Sequence, residues 1–278
     1  MTSLSRLPSG VKVRTRLCRT ALSKSGLPGA TYSVNPYFGC SHGCVYCYAS
    51  FMLRYHESPE RWGSFVEAKV NMPAVLRREK KRPGKVYLGT VCDPYQPVEA
   101  EFRLSQAVLE ILGGAGFPVE VLTKSDLILR DINLLQRYPG FSVELAITTL
   151  DEQVQKLFEP GAVTPQRRLT AAQRLVAAGV PVSVFVGPVL PFFSDSFETL
   201  FEIFCAIARV GVRRVLVDKF NYLGGKMGVV RSLLQRECPQ AVQAFEQACR
   251  EPEGYAQRLR EVVNRARCKA GLEGGVVF

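Results

Sequence analysis

At 278 residues and a formal charge of +11, the chain can bury one large α/β core and is basic enough to attract polyanions. It has no apolar run long enough to cross a bilayer, and its polar, basic amino terminus lacks a signal-peptide core, so no membrane partner is expected. Nine cysteines, an odd number, suit a reducing compartment, which makes the expected location cytoplasmic. The two histidines, His42 and His56, leave Ser–His and Cys–His hydrolytic chemistry almost nothing to work with.

Residues 1–30 read as an extended basic lead-in, because Pro8, Gly10, Gly26, Pro28 and Gly29 interrupt any regular element. No acidic residue precedes Glu57, whereas Arg6, Lys12, Arg14, Arg16, Arg19, Lys24 and Arg54 are basic. A second basic block follows at Arg77, Arg78, Lys80, Lys81, Arg82 and Lys85. Such blocks make nucleic acid the first polyanion to consider, against the plainer reading of a solvated arm.

From residue 31 onward strands and helices alternate. Strands are expected at 31–38, 85–92, 119–123, 142–149, 181–190 and 213–219, with 65–70 as a further one. They are short, rich in β-branched residues and often apolar on consecutive positions, as parallel strands buried on both faces are. Between them, a helix at 102–112 ends in Gly113-Gly114, and one at 127–138 begins after Ser125-Asp126. Thr164-Pro165 starts the next, which Gly179 ends, and Ser194 and Asp195 are expected to cap a helix that stops near Gly211. Residues 226–270 read as wholly helical, with Leu233, Leu234, Val242, Phe245, Leu259 and Val262 as an inward stripe. Repeated βα units close toward a barrel or open into a doubly wound sheet.

In parallel βα barrels ligands bind at the carboxyl ends of the strands. Those ends hold a cysteine loop, Asp93-Pro-Tyr-Gln-Pro97, Lys124, Thr148 with Thr149, Gly187-Pro188 and Asn221. A lysine and hydroxyls converging on a cysteine loop form a cradle for a zwitterionic ligand.

The loop reads Asn35-Pro-Tyr-Phe-Gly-Cys-Ser-His-Gly-Cys-Val-Tyr-Cys-Tyr48, with Cys40, Cys44 and Cys47 in Cys-x3-Cys-x2-Cys spacing. Three thiolates hold three corners of a four-iron cluster and leave the fourth iron open, which separates a reactive site from a structural one. Two other readings stand beside it. His42 would complete a closed Cys3His zinc site, although structural zinc usually joins two separated ligand pairs. An electron-transfer centre would need a fourth cysteine, and Cys18, Cys92, Cys205, Cys238, Cys249 and Cys268 show no such spacing.

This spacing, with Tyr46 directly before the third cysteine, resembles the signature of radical S-adenosylmethionine (SAM) enzymes. The wider chain, over residues 31–222, resembles their spore photoproduct lyase-like branch. That resemblance rests on Asn35–Tyr48, Gly89-Thr-Val-Cys-Asp-Pro-Tyr-Gln-Pro-Val-Glu99, Leu122-Thr-Lys-Ser125, Ile147-Thr-Thr-Leu-Asp151 and Phe158-Glu-Pro-Gly161. It implies an α/β fold, a partial (β/α)6 barrel at 31–222 between a basic N-terminal extension (1–30) and a helical C-terminal extension (223–278). It implies a 4Fe–4S cluster on Cys40, Cys44 and Cys47 and SAM as second cofactor, cleaved reductively to a 5′-deoxyadenosyl radical. Tyr46 would then pack near the adenine, Lys124 would pair with the SAM carboxylate, and Thr148 would turn its hydroxyl toward SAM, with Asp93 on the same cofactor-binding rim. Tyr48 is a candidate for radical relay or substrate contact.

One departure from the branch bears on substrate. The lyases use a cysteine near the end of the second strand as hydrogen-atom donor, and its position aligns with Thr90 here, while the nearby thiol, the second catalytic candidate beside Tyr48, is Cys92. The cofactor chemistry is therefore expected to be shared and the substrate to differ, with nucleic acid through the basic patches as the leading class and flavodoxin or ferredoxin as electron donor. The alternative class is a nucleic-acid-binding protein with a structural iron–sulfur or zinc site. Methylthiolation lacks a second cluster-binding group of cysteines.

Overall fold

The computed structural model describes residues 10–56, 60–79, 82–221 and 226–278. Arg6, Pro8, Lys80 and Lys81 lie outside the described residues. The strands are β1 (Lys12–Arg16), β2 (Ser23–Lys24), β3 (Tyr32–Val34), β4 (Tyr37–Phe38), β5 (Phe65–Lys69), β6 (Val86–Leu88), β7 (Val119–Thr123), β8 (Phe141–Ala146), β9 (Val182–Val189), β10 (Arg214–Lys219) and β11 (Glu273–Val276). All six expected barrel strands form, as β3, β6, β7, β8, β9 and β10: β7 has the expected bounds, β8 starts one residue early and ends short, and the expected 31–38 strand divides into β3 and β4, the latter in another sheet. The six pair in parallel in that order, with helices between successive strands from β6 to β10. The fold is the expected partial βα barrel.

The strands differ from the expected two-sided burial. Positions alternate: Val119, Val121, Val143, Leu145, Val184, Val186, Val215 and Val217 are fully buried, in one core with Leu109, Leu112, Leu175, Phe204 and Ile207 from the covering helices. The intervening Tyr87, Glu120, Ser142, Glu144 and Ser183 face the other way and are half-buried. One face of the sheet is thus sealed by helices. The opposite, concave face carries polar groups, as a groove open to ligands requires.

Two expectations about the ends need correction. The lead-in is not free of regular structure: β1 pairs in parallel with β5, and β5 pairs antiparallel with β4, making a small separate sheet. Alternation explains it, because Val11 and Val13 pack on Tyr37, Val66 and Ala68 while Lys12, Arg14 and Arg16 stay exposed. The breakers act later, where Gly26, Pro28 and Gly29 turn the chain between β2 and β3. At the other end the helices Lys226–Glu237, Val242–Arg250 and Pro252–Lys269 are followed by β11, which pairs in parallel with β10. Tyr255, Leu259, Val263 and Ala266 tie the last helix into the barrel core.

Helix punctuation holds at Thr164, whose hydroxyl accepts from Arg167 N. It shifts at Ser194 and Asp195. The cap is Ser196, accepting from Thr199 N at 3.1 Å, while Ser194 is buried and accepts from Leu190 N.

Candidate active site

The cysteine loop runs between β4 and a 3-10 helix at Tyr48–Tyr55. It is built from turns that begin at successive cysteines: Gly43 N donates to Cys40 O (3.3 Å), Cys47 N to Cys44 O (3.1 Å), and Ser50 N to Cys47 O (3.4 Å). Two glycines make this folding sterically feasible. Gly39, at φ +81°, sits where a Cβ would lie 2.5 Å from Phe65 O, and Gly43 adopts φ +58°.

Two segments hold the loop from outside. Ser41 N donates to Gln96 Oε1 (2.9 Å), and Gln96 Nε2 donates to Gly39 O (3.3 Å). Val45 N donates to Phe158 O and Gly161 N to His42 O, both 2.9 Å. Gly161 must be glycine, because a Cβ there would fall 2.1 Å from Ser41 O. The Asp-Pro-Tyr-Gln-Pro and Phe-Glu-Pro-Gly segments therefore grip the cysteine loop directly.

His42 is buried, and its Nδ1 lies 3.4 Å from Asp93 Oδ2. Burial pushes its pKa down, against the pull of Asp93, and favours the neutral ring. The remaining oxygens of Asp93 are also engaged. Oδ1 accepts from Tyr95 N (2.9 Å) and Thr123 Oγ1 (2.7 Å), and Oδ2 accepts from Lys124 N (2.6 Å). Asp93 thus fixes the end of β7 beneath the cysteine loop.

Beside the thiols lies a buried polar group that sequence reasoning did not assign. Glu159 forms an ion pair with Arg168, both about 1 % exposed, and also accepts from Tyr46 Oη and, at 2.8 Å, from Thr148 Oγ1. Burial alone would raise the Glu159 pKa. Arg168 and then Lys124 outweigh it, and hydrogen bonds from Arg168 and Tyr46 help bring it down to about 2. Thr148 is buried, with its hydroxyl 3.1 Å from Tyr46 Oη and 3.2 Å from Gly187 O. Arg168 donates further to Ala146 O (3.0 Å) and Val163 O (2.9 Å). Glu159 was visible in the Phe158–Gly161 segment, but its partner Arg168 lies on the next helix and no local pattern joins them.

Lys124 is half-buried, with its Nζ 5.9 Å from the Tyr46 ring centroid. Among the described residues it has no ion-pair partner, unlike Arg168, so a cation remains available at the rim.

Tyr48 leaves the loop exposed, and its hydroxyl donates to Thr90 O. Asn35 Nδ2 donates to Thr90 Oγ1 at 3.0 Å. Cys92, two residues on, is buried among Tyr37, Cys40 and Val66, with Sγ 3.8 Å from Asn35 Oδ1 and its thiol pushed up to about 12 by burial. The chain therefore meets Tyr48 at Thr90, while Cys92 belongs to the small core. Asn221, exposed, donates to Asp218 Oδ2 at 2.9 Å.

Cys40 and Cys44 are buried and Cys47 half-buried, and none of the three is in a disulfide among the described residues. Burial pushes Cys40 and Cys44 well above the ordinary thiol range, and each cysteine's charge would raise it further. Ionising two such buried thiols requires compensating positive charge, as a metal centre supplies. Among the described residues no three His, Cys, Asp or Glu side chains are disposed to hold a single metal ion. His42 Nδ1 faces Asp93, and His42 joins the cysteines in no such group, so a closed Cys3His zinc site is not preformed among the described residues. The Ser41 hydroxyl is buried without a hydrogen-bond partner among the described residues. An orphaned donor beside Cys40 fits a bound group that brings its own acceptors, such as inorganic sulfide.

An α/β partial barrel with a three-cysteine loop at its mouth defines a class, and comparison with known proteins agrees. The radical SAM superfamily profile matches residues 34–204; the chain belongs to the radical SAM superfamily. An uncharacterised protein of Mycobacterium tuberculosis (strain H37Rv) is 34% identical over 284 residues, covering 95% of this chain and 83% of its own. The radical SAM Nalpha-GlyT isomerase of Pseudomonas phage M6 is 27% identical over 231 residues, 80% of this chain and 46% of the phage protein. Among solved structures, spore photoproduct lyase complexed with dinucleoside spore photoproduct superposes with a TM-score of 0.70 at 16% identity, covering 96% of this chain and 82% of the lyase. At that identity the likeness is one of fold.

Proposed function

We propose that this chain is a radical SAM enzyme that carries a 4Fe–4S cluster on Cys40, Cys44 and Cys47, binds SAM between Tyr46 and Lys124, and acts on a modified base in nucleic acid. The observation that carries this reading is the juxtaposition at the mouth of three thiols on successive turns, an orphaned hydroxyl and an unpaired ammonium. When bound, the cluster supplies the electron that splits SAM into methionine and a 5′-deoxyadenosyl radical able to remove a hydrogen atom from substrate. The chain's own residues bind and orient. Lys124 offers the SAM carboxylate a charge-assisted partner. Tyr46, fixed by Glu159 and Thr148, offers the adenine an aromatic neighbour. Asp93 holds the backbone of Lys124, so its part is positioning, and Thr148 acts through Tyr46. Tyr48 stands between the loop and Thr90, where a relay or substrate contact belongs.

The nucleic-acid reading is supported by the +11 charge and by one similar solved structure, that of spore photoproduct lyase complexed with dinucleoside spore photoproduct. Since Thr90 stands where the lyases have their cysteine, photoproduct repair is not the proposed reaction. A reduced ferredoxin or flavodoxin is the expected electron donor. The test is anaerobic reconstitution with iron and sulfide. The wild type should hold about four irons per chain, with an EPR signal when reduced that changes on adding SAM. Cys44→Ala should lose the iron and His42→Ala should keep it. One zinc per chain and no iron would overturn the reading.

A further inference from the structure

Every exposed aromatic side chain among the described residues lies in one of two segments. Tyr48, Phe51 and Tyr55 are 47%, 37% and 62% exposed, and Phe192 is 51% exposed. Both segments belong to the mouth. The first is the 3-10 helix that leaves the cysteine loop, held by Tyr48 at Thr90 just past β6. The second follows β9. There Phe193, next to Phe192, packs on Phe158 with ring centroids 5.5 Å apart, and Phe158 O accepts from Val45 N of the cysteine loop.

Two features argue that these rings are outside for a purpose. The Arg54 guanidinium lies 5.1 Å from the Phe51 centroid and 5.5 Å from that of Tyr55, and Arg54 Nε donates to Phe51 O at 3.0 Å. The Tyr48 and Phe51 rings are stacked within 23° of parallel. The result is a layer of aromatic faces interleaved with a cation. Phe192, in turn, adopts φ +72°, a left-handed conformation that a bulky side chain takes only at an energetic penalty. Stability alone would favour glycine or asparagine there. The chain tolerates the strain and leaves half of the ring in water, the rest meeting Phe193 with centroids 5.2 Å apart.

We propose that Phe51, Arg54, Tyr55 and Phe192 form a stacking platform for the bases of an unpaired or flipped-out stretch of nucleic acid, delivering one base to the mouth. Aromatic faces stack on bases of any sequence, and an interleaved arginine adds attraction to both bases and phosphates. Stacking requires a base free of its helix, so the platform favours single strand over duplex. The segment itself carries no carboxylate before Glu57; among the described residues its nearest acidic contact is Glu67, 3.1 Å from His56 at its far end, and Arg54 faces the two rings. This inference rests on the nucleic-acid reading above.

The test is binding of a 2-aminopurine-labelled oligonucleotide, single-stranded and annealed, at low and high salt. Wild type should bind the single strand more tightly and quench the probe. The Phe51→Ala, Tyr55→Ala double variant should weaken single-strand binding between about fivefold and a hundredfold and abolish the quench. Phe192→Gly should weaken binding at least about fivefold with an unchanged or higher Tm, because glycine relieves the strain. Salt-sensitive binding indifferent to these substitutions would overturn the platform and leave the nucleic-acid reading standing. A wild type that binds no oligonucleotide even at low salt would overturn both. A lower Tm with unchanged affinity in Phe192→Gly would make that ring structural and remove it from the platform.

Discussion

Lys124 and Glu159 divide the electrostatics of the mouth between them. Glu159 is matched internally by Arg168, whereas Lys124 makes no ion pair among the described residues and is the cation proposed to meet the SAM carboxylate. Removing a charge-assisted contact lowers affinity by about 1.5–3 kcal/mol, or roughly one to two decades. Lys124→Met should therefore weaken SAM binding by that factor with iron content intact, as calorimetry on reconstituted protein would show. Unchanged affinity would assign the lysine a structural role. Glu159→Gln has a different signature, since it leaves the Arg168 guanidinium buried without a counter-charge. It should destabilise the fold by about 3–5 kcal/mol, seen as an earlier denaturant midpoint even without cofactors. A variant as stable as wild type would mean that the pair contributes little.

At the scale of elements, the concave sheet face makes a pH prediction. Burial, reinforced by neighbouring Glu120, lifts the Glu144 carboxyl to about 7. The folded state thus holds this proton to higher pH than the unfolded chain, and stability declines as pH rises from about 4.5 through about 7. Glu144→Gln should stabilise at pH 8 by on the order of 1–3 kcal/mol and be near neutral at pH 4, measured as denaturant midpoints at both. Equal effects at the two pH values would contradict the assignment. The edge strand β11 makes another. Gly274 has φ +106°, and a Cβ there would meet Val215 O at 1.8 Å, so Gly274→Ala should lower Tm and loosen protection of β10 amides in hydrogen exchange.

These elements also mark what could be read from sequence. The six barrel strands were legible because β-branched runs bounded by glycine and proline are local signals. The strand β11 was not, because Glu-Gly-Gly-Val reads as a turn until β10 offers it a partner. Strand β1 was hidden likewise, its ladder being supplied by β5 some fifty residues away. In the site, the cysteine spacing and the place of Lys124 at the end of β7 were readable. The Glu159–Arg168 pair and the Tyr48 contact with Thr90 were not, since they depend on segments that only the fold brings together.

For the whole molecule, the basic surface is less uniform than the sequence implies. Arg14 pairs with Glu60 at 2.8 Å, Lys12 with the same carboxylate at 3.5 Å, and Arg16 with Glu67 at 3.0 Å. Reversing those charges would disturb β1 as well as any phosphate contact. Arg19, Lys24 and Arg77 are exposed and have no ion-pair partner among the described residues. Changing the three to glutamate should flatten the dependence of log affinity on log salt by up to about three units, because each neutralised phosphate releases a counterion. An unaltered slope would place the nucleic acid elsewhere.

The central claim is that the three-cysteine loop and its rim cleave SAM reductively. The most direct measurement is 5′-deoxyadenosine released by anaerobically reconstituted, dithionite-reduced protein given SAM, with and without oligonucleotide. The wild type should release it, more so in the presence of substrate nucleic acid, and Cys44→Ala should release none. Iron-loaded wild type that binds SAM yet yields no 5′-deoxyadenosine under either condition would contradict it.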